Sequence, residues 1–109
     1  MAYRTSNSDQ FLELLTGSVA GTVTASTVAA SASSVQIVAA GARKSLSIFN
    51  GADTDLYIVY GDGPATTSAF SIKLVPGALY ESPLGGASFA VQGIWAGSPT
   101  GNAQITEVS

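Results

Sequence analysis

The sequence predicts an all-β protein, an antiparallel β-sandwich or barrel, on three observations. Apolar and polar residues alternate with a period of two in at least five segments. Gly, Pro, Asn and Asp separate these segments at short intervals, as between the strands of sandwiches and barrels. A chain of 109 residues is also long enough to bury a single core. We therefore expect one folded domain at residues 20–109, preceded by a short arm or helix at residues 1–19.

The N-terminal segment carries a short apolar cluster that suits one or two helical turns. Its apolar residues fall close to one helical face, Ser8 or Asp9 is placed to cap the first turn, and Gly17 ends the segment. The apolar residues are Phe11, Leu12, Leu14 and Leu15. Two interpretations stay open: a helix that covers the open end of the domain's own core, or an arm that docks on a neighbouring subunit.

Residues 18–42 predict two strands. No charged residue lies between Glu13 and Arg43, and β-branched Val and Thr are interleaved with Ala, Ser and Gly. The alternative for residues 25–34, where Ala and Ser dominate, is a flexible spacer.

From residue 43 onward the alternation is clearer, and turn signals such as Asn50-Gly51 and Pro76-Gly77 separate the segments. Together with the two earlier strands this gives seven or eight short strands. The positions that we expect inside the sandwich are Leu46, Ile48, Leu56, Ile58, Phe70, Ile72, Phe89, Val91 and Ile105.

The composition argues against most catalytic and nucleic-acid functions. The chain has no Cys and no His, and therefore lacks the triads and zinc sites built on those residues. The chain has four basic residues against seven acidic ones and no basic cluster, so it offers no positively charged site for a nucleic-acid phosphate backbone. No apolar run is long enough to span a membrane, and no secretory signal is visible. We expect no enzyme activity, cofactor, metal, nucleic acid or membrane partner, and synthesis in the cytosol.

The carboxylates offer two weak candidate sites. Asp53, Asp55 and Asp62 lie near one another in the sequence, but the full calcium-loop pattern is missing, which favours solvated turn residues. Glu81 and Glu107 would form an acid and base pair only if the fold placed them about 5 to 10 Å apart on one concave face. We expect neither site to be functional.

The strongest residue-level indication of partners is a second apolar face. Tyr57 and Val59 point opposite to Leu56, Ile58 and Tyr60, so one set faces the core and the other faces solvent or a partner. The candidate interface residues are Phe11, Leu12, Leu14, Leu15, Tyr57 and Val59. The alternative role for the aromatics is a sugar-binding platform formed by Tyr57, Tyr60, Tyr80, Phe89 and Trp95.

A series of short motifs in residues 43–108 carries a family resemblance. The motifs are Arg43-Lys44-Ser45-Leu46-Ser47-Ile48-Phe49-Asn50, Leu56-Tyr57-Ile58-Val59-Tyr60-Gly61, Phe70-Ser71-Ile72-Lys73-Leu74, Leu79-Tyr80-Glu81-Ser82-Pro83, Gly93-Ile94-Trp95-Ala96 and Ala103-Gln104-Ile105-Thr106-Glu107. In this order they resemble the small all-β virion proteins of tailed bacteriophages, especially those that decorate or cement the capsid.

The resemblance implies a jelly-roll-like sandwich that assembles as a homo-oligomer on the outer surface of the capsid. Its partners would be the major capsid protein and other copies of itself, and it would reach the virion after synthesis in the host cytoplasm. The alternative is a phage fibre, spike or tail component that binds a receptor or glycan. A small lyase or hydrolase is the third hypothesis.

Overall fold

The computed structural model describes residues 21–82 and 88–109, which form a sandwich of two four-stranded antiparallel sheets. The strands are β1 (Val23–Ala29), β2 (Val35–Val38), β3 (Ser45–Asn50), β4 (Leu56–Tyr60), β5 (Ile72–Leu74), β6 (Leu79–Glu81), β7 (Val91–Trp95) and β8 (Asn102–Val108). Sheet A has the order β1-β8-β3-β6, and sheet B has the order β2-β7-β4-β5. Among the described residues no helix is long and apolar enough to cross a membrane.

This strand order is that of a jelly roll. The chain passes between the sheets so that the first strand pairs with the last in sheet A, while the second pairs with the seventh in sheet B. Every strand pair is antiparallel. The predicted fold class is confirmed, and the two strands expected in residues 18–42 are β1 and β2. Residues 25–29 belong to β1, so the spacer hypothesis is wrong there.

The core lies between the sheets and follows the two-residue alternation. In β3 the residues Leu46 and Ile48 are buried while Ser45 is exposed, and in β4 the residues Leu56 and Ile58 have no exposed surface. The core side chains include Ile37, Val38, Leu46, Ile48, Leu56, Ile58, Leu74, Tyr80, Val91, Trp95, Ala103 and Ile105. Burying them supplies the main stabilisation of the sandwich.

Two residues that were expected inside are on the surface. Phe70 is 43% exposed and Phe89 is 41% exposed, whereas Ile72 is partly buried against the core. Strand β5 begins only at Ile72 and β7 only at Val91, so both phenylalanines lie in the preceding turns. The period of two applies only while the backbone is extended, so it does not assign a face to either of them.

The N-terminal arm at residues 1–19 and its apolar residues Phe11, Leu12, Leu14 and Leu15 lie outside the described residues.

Candidate interaction surfaces

The outer face of sheet B carries the two interface residues predicted in β4. Tyr57 lies opposite Ile94 of β7, and Val59 lies opposite Gln92. All four are half-buried by their neighbours on the same face. Because the alternate residues Leu56 and Ile58 fill the core, Tyr57 and Val59 must point outward. The structure therefore places the predicted second apolar face on the exterior of the sandwich.

Phe70 extends this apolar surface. Its ring meets the ring of Tyr57 edge to face, with 4.9 Å between the centroids. Lys73 lies beside the pair, with Nζ 5.9 Å from the centroid of Tyr57 and 3.5 Å from a carboxylate oxygen of Asp55. An exposed ion pair of this kind adds little to stability. We call Tyr57, Val59, Phe70 and Ile94 the sheet B patch, an apolar surface with a charged pair at its rim.

The outer face of sheet A is made mostly of uncharged side chains, many of them small. Across the sheet, Ala25 lies beside Thr106, which lies beside Ser47 and then Glu81. Glu81 is the only charged side chain that the described strands carry on this face. At one end of it the cross-strand pair Phe49 and Leu79 is exposed, at 37% and 59%. Apart from Glu81, the described strands carry on this face none of the charges that usually keep a surface free of partners.

A shallow open cleft of about 280 Å³ lies on β3 and the end of β6. Ser45, Leu46, Ser47, Glu81 and Ser82 line it. The cleft offers three hydroxyls and one carboxylate, groups that can hydrogen-bond a polar ligand. The chain has no imidazole to activate a hydroxyl as a nucleophile.

The two glutamates considered as an acid and base pair lie on opposite faces of sheet A. Glu81 is exposed on the outer face, opposite Ser47, whereas Glu107 lies opposite Leu46 on the inner side. Glu107 accepts a hydrogen bond of 2.9 Å from Nε of Arg43. The pair hypothesis is therefore wrong, because no single concave surface contains both carboxylates.

Arg43 instead links three segments of the chain at one end of the sandwich. Its side chain is only 1% exposed, and besides Glu107 it donates to the backbone carbonyls of Ala39 and Phe89. It thus connects β8 to the segments after β2 and before β7. Charge-assisted hydrogen bonds of this kind are stronger than neutral ones.

Two of the three aspartates considered for calcium, Asp53 and Asp55, have separate partners. Asp53 accepts a hydrogen bond of 2.8 Å from the backbone N–H of Thr100, and Asp55 pairs with Lys73. Within residues 21–82 and 88–109 no three His, Cys, Asp or Glu side chains are grouped so that they could hold a metal.

The aromatic residues do not form one platform. Trp95 is buried in the core and Tyr57 belongs to the sheet B patch. Tyr60 contacts Phe89 and Tyr80, with centroid distances of 5.4 and 6.5 Å. Burial raises the pKa of the Tyr60 phenol.

The most connected polar side chain is one that the sequence pattern marked only as a turn residue. Asn50 is fully buried at the end of β3. Its Nδ2 donates to the carbonyls of Thr54 and Leu74, at 2.9 and 2.8 Å. Its Oδ1 accepts from the N–H of Ala52 at 3.1 Å and from Nε1 of Trp95 at 3.0 Å. The partners of Asn50 lie between two residues (Ala52) and 45 residues (Trp95) away in the sequence. No local motif therefore identifies this role.

No protein-family model and no curated protein matches the chain. A solved structure from Bacillus endospore appendages, described as a novel family of disulfide-linked pili, is similar to it at 16% identity. The similarity covers 84% of this chain and 87% of that one, with a TM-score of 0.48. At this level it carries no information on function.

Proposed function

We propose that this chain is a non-catalytic structural protein that decorates and cements the capsid of a tailed bacteriophage. The observation that supports the proposal best is the exterior of the sandwich, where the sheet B patch and the pair Phe49 and Leu79 expose apolar surface on both sheets. Clusters of exposed apolar side chains on a small domain are typical of a contact with a partner. The partners would be the major capsid protein and other copies of the chain.

The energetics suit a protein that works by burying surface. At about 25 cal/mol per Å², 400 Å² of apolar surface is worth up to about 10 kcal/mol before the costs of association. Those costs reduce the gain at each contact. Copies on a symmetric shell engage several neighbours at once, so effective concentration compensates for weak single contacts. Such a protein needs a rigid fold and an outer surface that partners can cover. The buried core supplies the rigidity, and the two outer faces with few charges supply the surface.

Residues 1–17 would add to this interface through Phe11, Leu12, Leu14 and Leu15. Deleting them should leave the sandwich folded, weaken its binding to capsids, and make the capsids easier to break by heat. A truncated chain that unfolds would assign the segment to the core. A truncated chain that binds unchanged would leave the sheet faces as the contacts.

The direct test is antibody labelling of purified virions, followed by rebinding of the recombinant chain to stripped capsids. Label over the shell is expected. Label on the tail or fibres would support the receptor-binding alternative instead, and virions without label would overturn both.

A matched pair of variants tests the sheet B patch. Phe70→Glu places a carboxylate on the patch, whereas Thr67→Glu adds the same charge at an exposed position of the preceding loop. We expect Phe70→Glu to weaken capsid binding at least about tenfold, since one desolvated charge costs more than the 1.4 kcal/mol that corresponds to that factor. Thr67→Glu should bind as the wild type does. Equal binding by the two variants would remove the patch from the interface.

A further inference from the structure

Strand β1 is an edge of sheet A that differs from the other three sheet edges. Strands β5 and β6 have three residues each, and β2 has four with an irregular register between Gln36 and Val38. Strand β1 has seven residues and keeps a regular register along β8 from end to end. Among the described residues no strand lies on its other side. It is thus the one long, regular edge among the described strands.

The hydrogen bonds at both ends of β1 establish which backbone groups point to that edge. Thr22 and Ser109 bond reciprocally at 3.1 and 2.9 Å, and the N–H of Ala30 donates to Gly101 at 3.0 Å. Bonded and non-bonded pairs alternate in an antiparallel ladder, so the even-numbered residues of β1 bond to β8. The odd-numbered ones therefore direct their N–H and C=O groups away from the sheet. They are Val23, Ala25, Thr27 and Ala29.

Nothing in β1 protects this edge. Proteins usually guard an exposed edge with charged side chains, proline, a bulge or a short strand. The sequence Val-Thr-Ala-Ser-Thr-Val-Ala has no charge and no proline, its register has no bulge, and six of its seven residues are exposed. A long unguarded edge in a soluble domain is a template for another strand.

We propose that β1 pairs antiparallel with β1 of a second copy, around a two-fold axis at Ser26. The odd-numbered residues lie symmetrically about Ser26, so Val23 faces Ala29 and Ala25 faces Thr27 of the partner copy. Each edge-directed N–H then meets a C=O, and the groups of both strands are satisfied together. Two copies of sheet A become one continuous eight-stranded sheet.

A second copy suits this edge better than a charged partner would. Each copy carries a net charge of −3, yet the strand where they meet is uncharged, so bringing the copies together here places no like charges opposite one another. The side chains beside the contact are small and leave the two backbones free to approach. The pairing itself does not depend on the proposed function. Only its biological role rests on that function: on the capsid the pairing would supply the contact between copies.

A single engineered thiol tests the register. The chain has no cysteine, so Ser26→Cys provides its only thiol, at an exposed position on the axis. Opposed Cα atoms in a non-hydrogen-bonded pair lie about 4.5 Å apart, within disulfide range. Thr24→Cys is the matched control, because its two copies would be about 14 Å apart. We expect oxidation to cross-link Ser26→Cys at least about tenfold faster than Thr24→Cys. Equal rates would overturn the register.

A charge pair tests the same contact without oxidation. Ala25→Lys with Thr27→Lys places like charges opposite each other in both halves of the contact, whereas Ala25→Lys with Thr27→Glu places opposite charges there. In sedimentation experiments the wild type should dimerise with increasing concentration. The first double variant should stay monomeric and the second should dimerise.

A wild type that is monomeric at all concentrations would overturn the inference, as would two double variants that behave alike. These outcomes are separate from the fate of the proposed function. Loss of capsid labelling with an intact β1 dimer refutes the function alone. Capsid labelling with no β1 dimer refutes the pairing alone.

Discussion

Replacing Asn50 with Ala should weaken the sandwich more than any change of similar size on its surface. Asn50 uses its full capacity of two donated and two accepted hydrogen bonds, all inside the protein. Alanine fills part of the space but offers none of them. The N–H of Ala52 and Nε1 of Trp95 would lose the oxygen that they share.

The magnitude follows from those two donors. A buried donor left without its partner costs about 1 to 3 kcal/mol. The carbonyls of Thr54 and Leu74 lose less, because each oxygen has two lone pairs and can accept from another donor. We therefore expect Asn50→Ala to lower the free energy of unfolding by about 3 kcal/mol. That is a large share of the 5 to 15 kcal/mol typical of a domain.

The protein contains its own reporter for this experiment. Trp95 is the only tryptophan, is 1% exposed, and bonds directly to Asn50. Its fluorescence during guanidinium unfolding gives the midpoint and slope for each variant. Asn102→Ala, at an exposed position of β8, is the control and should change stability by less than about 0.5 kcal/mol. A loss below about 1 kcal/mol for Asn50→Ala would refute the argument that this network stabilises the core.

Three further changes have expected outcomes. Gly93→Ala would place a Cβ 2.8 Å from a buried isoleucine side chain and should cost about 1 to 3 kcal/mol in thermal unfolding, whereas Gly63→Ala, with open space around it, should cost far less. Glu107→Gln deprives the buried Arg43 guanidinium of its carboxylate and should lower stability at neutral pH by about 1 to 2 kcal/mol, measured by denaturant unfolding. Burial raises the pKa of Tyr60 in the folded protein. The stability that its neutral phenol contributes is therefore fully present below pH 10 and is lost as the pH rises through the folded-state pKa. Tyr60→Phe should flatten this alkaline fall in the free energy of unfolding.

The alternation of side chains carried the fold prediction, and its limits explain the errors. It placed Leu46, Ile48, Leu56 and Ile58 inside the sandwich and Tyr57 outside, because a strand exposes alternate residues to opposite faces. It does not show where a strand begins, so it wrongly places Phe70 and Phe89, which lie in the turns before β5 and β7, in the core.

The polar interior and the sheet edges could not be predicted in the same way. Asn50 belongs to a turn signal, and nothing near it in the sequence indicates that Trp95 approaches it. The face of Glu107 relative to Glu81 depends on which strands are neighbours, as does the position of β1 at an edge of sheet A among the described strands. Strand order is a property of the whole chain, so local pattern does not determine it.

The pairing of β1 with β8 also affects how the protein is made. A ribosome releases β1 well before β8 exists, so sheet A cannot be completed until β8 has also been synthesised. Strand β1 must stay soluble during this interval, without its only partner among the described strands. Its Ala, Ser and Thr residues expose less apolar surface than a strand of Val, Ile and Phe would, which limits hydrophobic association of the nascent chain while leaving the backbone edge open to pairing. The small residues of the first strand thus serve the nascent chain as well as the finished sandwich.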